Sequence, residues 1–259
     1  HAVLEREVRQ TNDRARRTLA LYRIARIQND RLGNRAESIA ALVKAAEAAP
    51  DDPLVLEDLA RGYEQVEEFE ALAGVLTKLI GLADEKRERV ALLHRLGQVQ
   101  EGQLENKEQA IARYRDALAI EPTHVPVLQA LGRLLGARMQ WAELVEMHLA
   151  EAGATDVNAR AAAAHARVAE IFEAHLRDPA QAVSHHARAL SLVPGYSTSF
   201  KALTRLYAQL DRHRELVELL ERAIADTTLP CLKVAYLFKV GSVWEDSLAD
   251  PVQALHAFR

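Results

Sequence analysis

Apolar residues recur along this chain at the spacing i, i+3, i+4, i+7, and short polar turns separate one such stretch from the next. No segment alternates apolar and polar residues over the length of a β-strand. The pattern therefore predicts an all-α protein. We expect helices at residues 14–31, 35–48, 54–66, 69–82, 87–103, 108–120, 126–137, 141–152, 158–176, 180–192, 197–210, 213–225, 231–247 and from 251 onward.

The helical pattern repeats every 72 residues without a gap. The repeated positions carry matching residues in three sets: Leu32, Leu104, Leu176 and Leu248; Asn34, Asn106, Asp178 and Asp250; Pro50, Pro122 and Pro194. A fixed period of this kind is typical of arrays in which each repeat is stabilised by its neighbours. We therefore predict a single repeat array over residues 1–259, built from modules at about 13–84, 85–156, 157–228 and 229–259.

Both ends of the sequence fall inside this pattern. Residues 1–11 align with residues 73–83 in the 72-residue register, where they correspond to the end of a helix, and Arg259 falls in the middle of one. We therefore expect the array to be a fragment of a longer chain, with apolar surface at its ends through which it could self-associate.

Each module divides into two helix pairs, and each pair resembles the tetratricopeptide repeat, a family with about 34 residues per repeat. The clearest resemblance lies in residues 90–122, where the family's small and large apolar positions are Leu93, Leu96, Gly97, Ala110, Tyr114, Ala117 and Pro122. Weaker resemblances cover residues 53–84, 125–156, 162–194 and 197–228. The resemblance implies a right-handed α-α superhelix, a solenoid of about seven helix pairs. It also implies that the first helix of each pair lines a concave groove, where extended peptides or partner helices dock.

Composition narrows the class of partner. The formal net charge is only −4, and aromatic residues make up 5% of the chain, so neither a basic field nor interleaved aromatics favour nucleic acid. No apolar run approaches the roughly 20 residues that a membrane-spanning helix needs, so we expect no direct membrane insertion. Because Cys231 is the only cysteine, no disulfide can form within the chain. A single cysteine is compatible with an oxidising or a reducing compartment.

The sequence carries no catalytic signature and no phosphate-binding glycine loop, which favours a non-catalytic protein without a cofactor. Two adjacent histidines, His185 and His186, diverge by about 100° on a helix and do not converge on one metal ion. His186 also occupies the large apolar position that Tyr114 and Leu42 fill in other modules, which favours a packed core histidine.

Basic residues recur on the first helices at positions that the resemblance places in the groove. One row consists of Arg23, Arg95, Arg167 and Lys239; the other consists of Arg61, Arg133 and Arg205, with Lys201 beside it. With Tyr22 as an aromatic anchor, these residues are the predicted partner-binding set. Such rows would attract a carboxylate, an acidic stretch or a phosphorylated segment, since arginine binds such groups through two parallel hydrogen bonds.

A structural explanation of the same rows stays open. They could persist only because the module was duplicated, and they could pair with carboxylates such as Glu57, Glu170 and Glu173 on the same helices. Exposed ion pairs of that kind contribute little to stability.

Three functions fit the sequence. The first is a non-catalytic scaffold that holds protein partners along its concave face. The second is a structural spacer within a long repeat protein of a cell-envelope, motility or secretion assembly. The third is the sensor arm of a larger signalling protein.

Overall fold

A computed structural model of the chain describes residues 2–259, and the expectation of an all-α protein is confirmed over these residues, which contain no strand. The helices are α1 Ala2–Gln10, α2 Arg14–Asp30, α3 Arg35–Ala48, α4 Pro53–Gln65, α5 Phe69–Leu82, α6 Lys86–Gly102, α7 Lys107–Ile120, α8 Val125–Ala137, α9 Trp141–Ala154, α10 Asn158–Ile171, α11 Pro179–Leu192, α12 Ser197–Gln209, α13 His213–Asp226, α14 Pro230–Asp246 and α15 Pro251–Phe258. A π-helical segment, Phe172–Leu176, continues α10.

The chain divides into two compact bodies, residues 1–134 and 135–259, which we call the N-terminal and C-terminal bodies. The N-terminal core is centred on Leu56, Leu72 and Leu76, each of which is fully buried or within 1% of it. The C-terminal core contains Leu216 and Leu220 at 2% and 1% exposure. The single array over residues 1–259 and its module boundaries stay predictions.

Within each body a helix packs against the next helix in sequence. In the N-terminal body α2 packs on α3, α4 on α5 and α6 on α7, and in the C-terminal body α10 packs on α11 and α14 on α15. Short turns join the members of each pair. We call α2, α4, α6, α8, α10, α12 and α14 the first helices, and within each body we call the surface that these helices present the first-helix face.

The turns that lead into α3, α7, α11 and α15 all have the same construction. The last residue of each turn is a side-chain cap, and the cap accepts a hydrogen bond from the backbone N–H three residues later, in the manner typical of helix N-termini. The four capping residues are Asn34, Asn106, Asp178 and Asp250. The residue before each cap has a left-handed backbone, with φ between 51° and 63°, at Gly33, Glu105, Arg177 and Ala249.

Candidate functional site

The predicted partner-binding residues all lie on first helices, and most of the arginines are held by carboxylates. Tyr22 and Arg23 lie in α2, Arg61 in α4, Arg95 in α6, Arg133 in α8, Arg167 in α10, Lys201 and Arg205 in α12, and Lys239 in α14. Their pairing differs from one helix to the next, and it decides which of them present an uncompensated charge.

In the N-terminal body the ion pairs join successive first helices. Arg95 donates to Glu64 of α4 over 2.6 Å, and Arg133 donates to Glu101 of α6. The Tyr114 hydroxyl donates to the other oxygen of Glu101 over 3.0 Å. Burial, followed by this hydrogen bond, raises the pKa of Tyr114, so the phenol stays protonated. The side chains of Arg95 and Arg133 remain 34% and 64% exposed.

The first module lacks the Glu101 carboxylate, because the residue in that register is Asn29. Arg61 instead pairs with Asp58 on its own helix. Tyr22 hydrogen-bonds to the same carboxylate, and that bond is the largest cause of the raised pKa of Tyr22. These side chains line a cavity of about 280 Å³.

In the C-terminal body Arg205 and Glu173 form a two-pronged ion pair, in which Nη2 lies 2.8 Å from Oε2 and Nη1 donates to Oε1. The Arg205 hydrogen bond holds the pKa of Glu173 below its usual value. Arg167 donates over 3.3 Å to Glu151 of α9. Glu151 is only 3% exposed and also contacts His148 Nδ1 over 3.0 Å.

Three cations of the predicted set carry no ion pair within residues 2–259: Arg23, Lys201 and Lys239, all of them exposed. Lys201 stands at the edge of a second cavity, of about 520 Å³. This cavity is lined by residues from α10, its π-helical continuation, α11 and α12: Glu170, Glu173, His186, Ser197, Thr198, Lys201, Ala202 and Arg205.

Sequence reasoning missed three of the four carboxylates that hold arginines of different helices. Of the predicted carboxylates Glu57, Glu170 and Glu173, only Glu173 forms an ion pair among residues 2–259. The remaining carboxylates that pair with an arginine of another helix are Glu64, Glu101 and Glu151. A signal for Glu101 was present, since it shares the 72-residue register with Glu173 and each of the two precedes its arginine by 32 positions.

The histidines are dispersed among packing contacts. His186 is fully buried, so its interpretation as a packed core residue is confirmed. His165 and His185 bring their Nδ1 atoms within 3.2 Å, and His175 stacks on Trp141 with ring centroids 3.6 Å apart. Nowhere in residues 2–259 do three or more metal-ligating side chains converge. The Cys231 thiol is free and exposed.

No helix within the described part of the chain combines the length and the apolar character that crossing a bilayer requires.

Three segments of the chain match models of the tetratricopeptide repeat: residues 19–52, 90–124 and 199–232. They coincide with the pairs α2/α3, α6/α7 and α12/α13. The comparison with curated proteins gave no match to this sequence.

Several solved structures of tetratricopeptide-repeat proteins are similar at low identity. YrrB, described as a TPR protein with an unusual peptide-binding site, is 15% identical with a TM-score of 0.42, covering 78% of this chain and 97% of that one. The C-terminal part of a TPR repeat-containing protein from Cytophaga hutchinsonii is 13% identical with a TM-score of 0.43, covering 92% and 93%. A tetratricopeptide repeat protein from Parabacteroides merdae is 14% identical with a TM-score of 0.42, covering 93% and 90%.

The three repeat matches identify the helix pairs α2/α3, α6/α7 and α12/α13 as tetratricopeptide repeats within a helical repeat protein.

Proposed function

We propose that the chain is a non-catalytic interaction scaffold that binds a peptide or helix of a protein partner on its first-helix face. The observation that carries this proposal is a series of half-exposed arginines, each held in position by a carboxylate of a neighbouring helix. A side chain held in this way has already lost much of its rotational freedom, so binding a ligand costs less entropy.

The arginines keep donors available for a ligand. A guanidinium has five N–H groups, and the pairs described above use only one or two of them in Arg95, Arg133 and Arg205. Backbone carbonyls and side-chain oxygens of an extended peptide are the acceptors that such donors suit.

The unpaired cations give this face a local preference for acidic partners. Lys201 and Lys239 on the first helices carry exposed charges without a carboxylate partner in residues 2–259. The whole chain is weakly negative, at −4. Attraction of an acidic segment would therefore come from these positions and would weaken with salt.

Panning a random peptide library against the purified chain tests the proposal. Affinities of enriched peptides would be measured by fluorescence anisotropy for the wild type, for Lys201→Ala, and for Arg214→Ala, which removes an exposed cation from the second helix α13. We expect Lys201→Ala to weaken binding at least fivefold and Arg214→Ala to leave it unchanged. Failure to enrich any peptide, or equal losses in both variants, would contradict the proposal.

A second candidate function, self-association within a structural assembly, is favoured by the exposed apolar surface of α14. Val234 and Phe238 are each 66% exposed, whereas Val90, in the register of Val234, is 1% exposed. A surface of this kind suits a second copy of the chain. Sedimentation velocity of the wild type beside Phe238→Glu tests it: a concentration-dependent dimer that the variant abolishes supports self-association, and monomers at all concentrations contradict it.

A further inference from the structure

The cavity beside His186 contains a buried polar pair at positions where other modules are apolar or aromatic. His186 Nδ1 lies 3.0 Å from Ser199 Oγ, and both residues are fully buried. The residues in the register of Ser199 are Val127 and Val55, which are also buried. Burying polar groups is unfavourable unless each finds a hydrogen-bond partner, so the departure from valine calls for a reason.

One atom of this pair has no partner. His186 Nε2 is buried and makes no hydrogen bond. In the second module the same register holds Tyr114, whose longer side chain reaches Glu101. Glu173 stands in the register of Glu101 and lines the same cavity as His186, but the shorter imidazole does not hydrogen-bond to it. The place that the Tyr114 hydroxyl takes in the second module is therefore left without a hydrogen-bonding group in the third.

The facing donors and acceptors define the chemistry of that group. When the Ser199 hydroxyl donates to Nδ1, the proton of the neutral ring lies on Nε2, which then donates. Glu173 supplies acceptor oxygens. A hydroxyl or a carboxamide can accept from His186 and donate to Glu173 at the same time, which a methyl group cannot do.

The charges beside His186 disfavour an ionised ligand group at that position. Glu173, which would face the group, is already paired with Arg205. Either sign of ligand charge would therefore meet a like charge, and it would lose hydration on entering. A neutral polar group meets no like charge, and its smaller cost of lost hydration is offset by the hydrogen bonds to His186 and Glu173.

We propose that this cavity is a subsite for a neutral hydroxyl or carboxamide side chain of a bound peptide, received between His186 and Glu173. The inference rests on the proposed function for its ligand, but the cavity itself can be tested with small compounds. Serine, threonine, asparagine and glutamine side chains all carry the required group.

The first experiment uses small compounds and needs no partner. The imidazole nitrogens of His186 in the wild-type chain are followed by ¹⁵N NMR during titration with the methyl esters of N-acetylserine, N-acetylasparagine or, as the matched control without a side-chain polar group, N-acetylalanine. We expect the two polar side chains to shift Nε2 of His186 and the alanine compound to leave it in place. No shift, or an equal shift with the alanine compound, overturns the proposal.

A plug variant supplies the structural control. Ala169→Gly with His186→Tyr reproduces the Gly97–Tyr114 combination that folds in the second module, and its phenol would occupy the space beside Glu173. Library peptides that depend on this subsite should bind the plug variant at least tenfold more weakly, while its circular dichroism stays that of the wild type. Equal affinity for the plug variant would overturn the subsite and leave the proposed function standing. A library that enriches no peptide would refute the proposed function, while the titration still decides on the cavity.

Discussion

Gly97 and Tyr114 pack so closely that no side chain fits between the backbone of α6 and the phenol ring. A Cβ atom built on Gly97 would lie 2.8 Å from Cδ1 of Tyr114, closer than carbon atoms approach without a shift. The fourth module repeats this relationship, since a Cβ on Gly241 would lie 2.7 Å from Cδ1 of Phe258.

The other two modules use a different combination in the same register. There the residue opposite is alanine, Ala25 or Ala169, and the partner is smaller, Leu42 or His186. All four of these residues are buried. The two packed positions therefore compensate each other in volume. Where one is glycine the other carries a six-membered ring, and where one is alanine the other carries a smaller side chain.

Gly97→Ala tests this packing rule. We expect it to lower the free energy of unfolding by about 1–3 kcal/mol, because the added methyl group overlaps the Tyr114 ring in a packed core. Chemical denaturation measures the effect. In a Tyr114→Leu background, which imitates the first module, the same substitution should cost less than half as much. An equal cost in both backgrounds would show that the ring is not what the methyl group meets.

Ala249→Gly should stabilise the protein. Ala249 has a φ of 51°, and a left-handed backbone costs an L-residue about 1 kcal/mol. Glycine removes that cost, although its greater freedom in the unfolded chain offsets part of the gain, so we expect a net increase of about 0.5 kcal/mol. Thermal and urea denaturation check it.

The matched control for that prediction is Ala235→Gly, at an exposed position inside α14. Here glycine replaces alanine in a regular helix, and we expect a loss of about 1 kcal/mol. If both substitutions destabilise alike, the turn is not left-handed in solution.

Acidification below neutral pH should destabilise the C-terminal body through its histidine pair. Burial lowers the pKa of His165 and of His185, whose charged forms also repel each other. Below the ordinary histidine pKa of about 6.5 the unfolded chain therefore binds more protons than the folded one, and stability falls as pH falls. Urea denaturation at pH 7 and pH 5 measures the loss.

The double variant His165→Leu, His185→Ala checks the origin of that loss. Each replacement is the residue that another module has in the same register, which is Leu93 for His165 and Ala41 for His185. The stability of the double variant should change less between pH 7 and pH 5 than that of the wild type. The pKa of Glu173 is lowered from its ordinary value of 4.5, so protonation of Glu173 affects stability only below the range from pH 7 to pH 5. An unchanged pH dependence would assign the loss to other groups.

Glu101→Gln should strengthen binding of acidic peptides. The substitution removes the charge that compensates Arg133 and keeps a hydrogen-bond acceptor in its place. We expect a severalfold gain in affinity for an acidic library peptide at low salt, which fades as salt is added. Glu47→Gln, on the second helix α3, is the control and should change nothing. A gain in both variants would indicate a general charge effect.

The sequence predicts the helices well and the pairing of the arginines poorly, for physical reasons. Helix bounds follow from local sequence signals such as the capping residues Asn106 and Asp178. Each of these side chains accepts a hydrogen bond from the backbone N–H three residues later. The bond between Arg133 and Glu101 spans two helices and depends on how they pack. In the sequence, only the shared register of Glu101 and Glu173 indicates this ion pair.

The π-helical segment Phe172–Leu176 shows the same limit. The sequence predicts one helix over residues 158–176, and the structure changes its winding after Ile171. Apolar spacing does not reveal a π-turn of five residues, because so short a segment does not establish a period of its own.

Hydrogen–deuterium exchange with a bound library peptide tests the central claim most directly. If partners bind on the first-helix face, the peptide should slow exchange in first helices, such as α6 and α12, and leave the second helices α7 and α13 unchanged. Protection confined to the second helices would contradict the account.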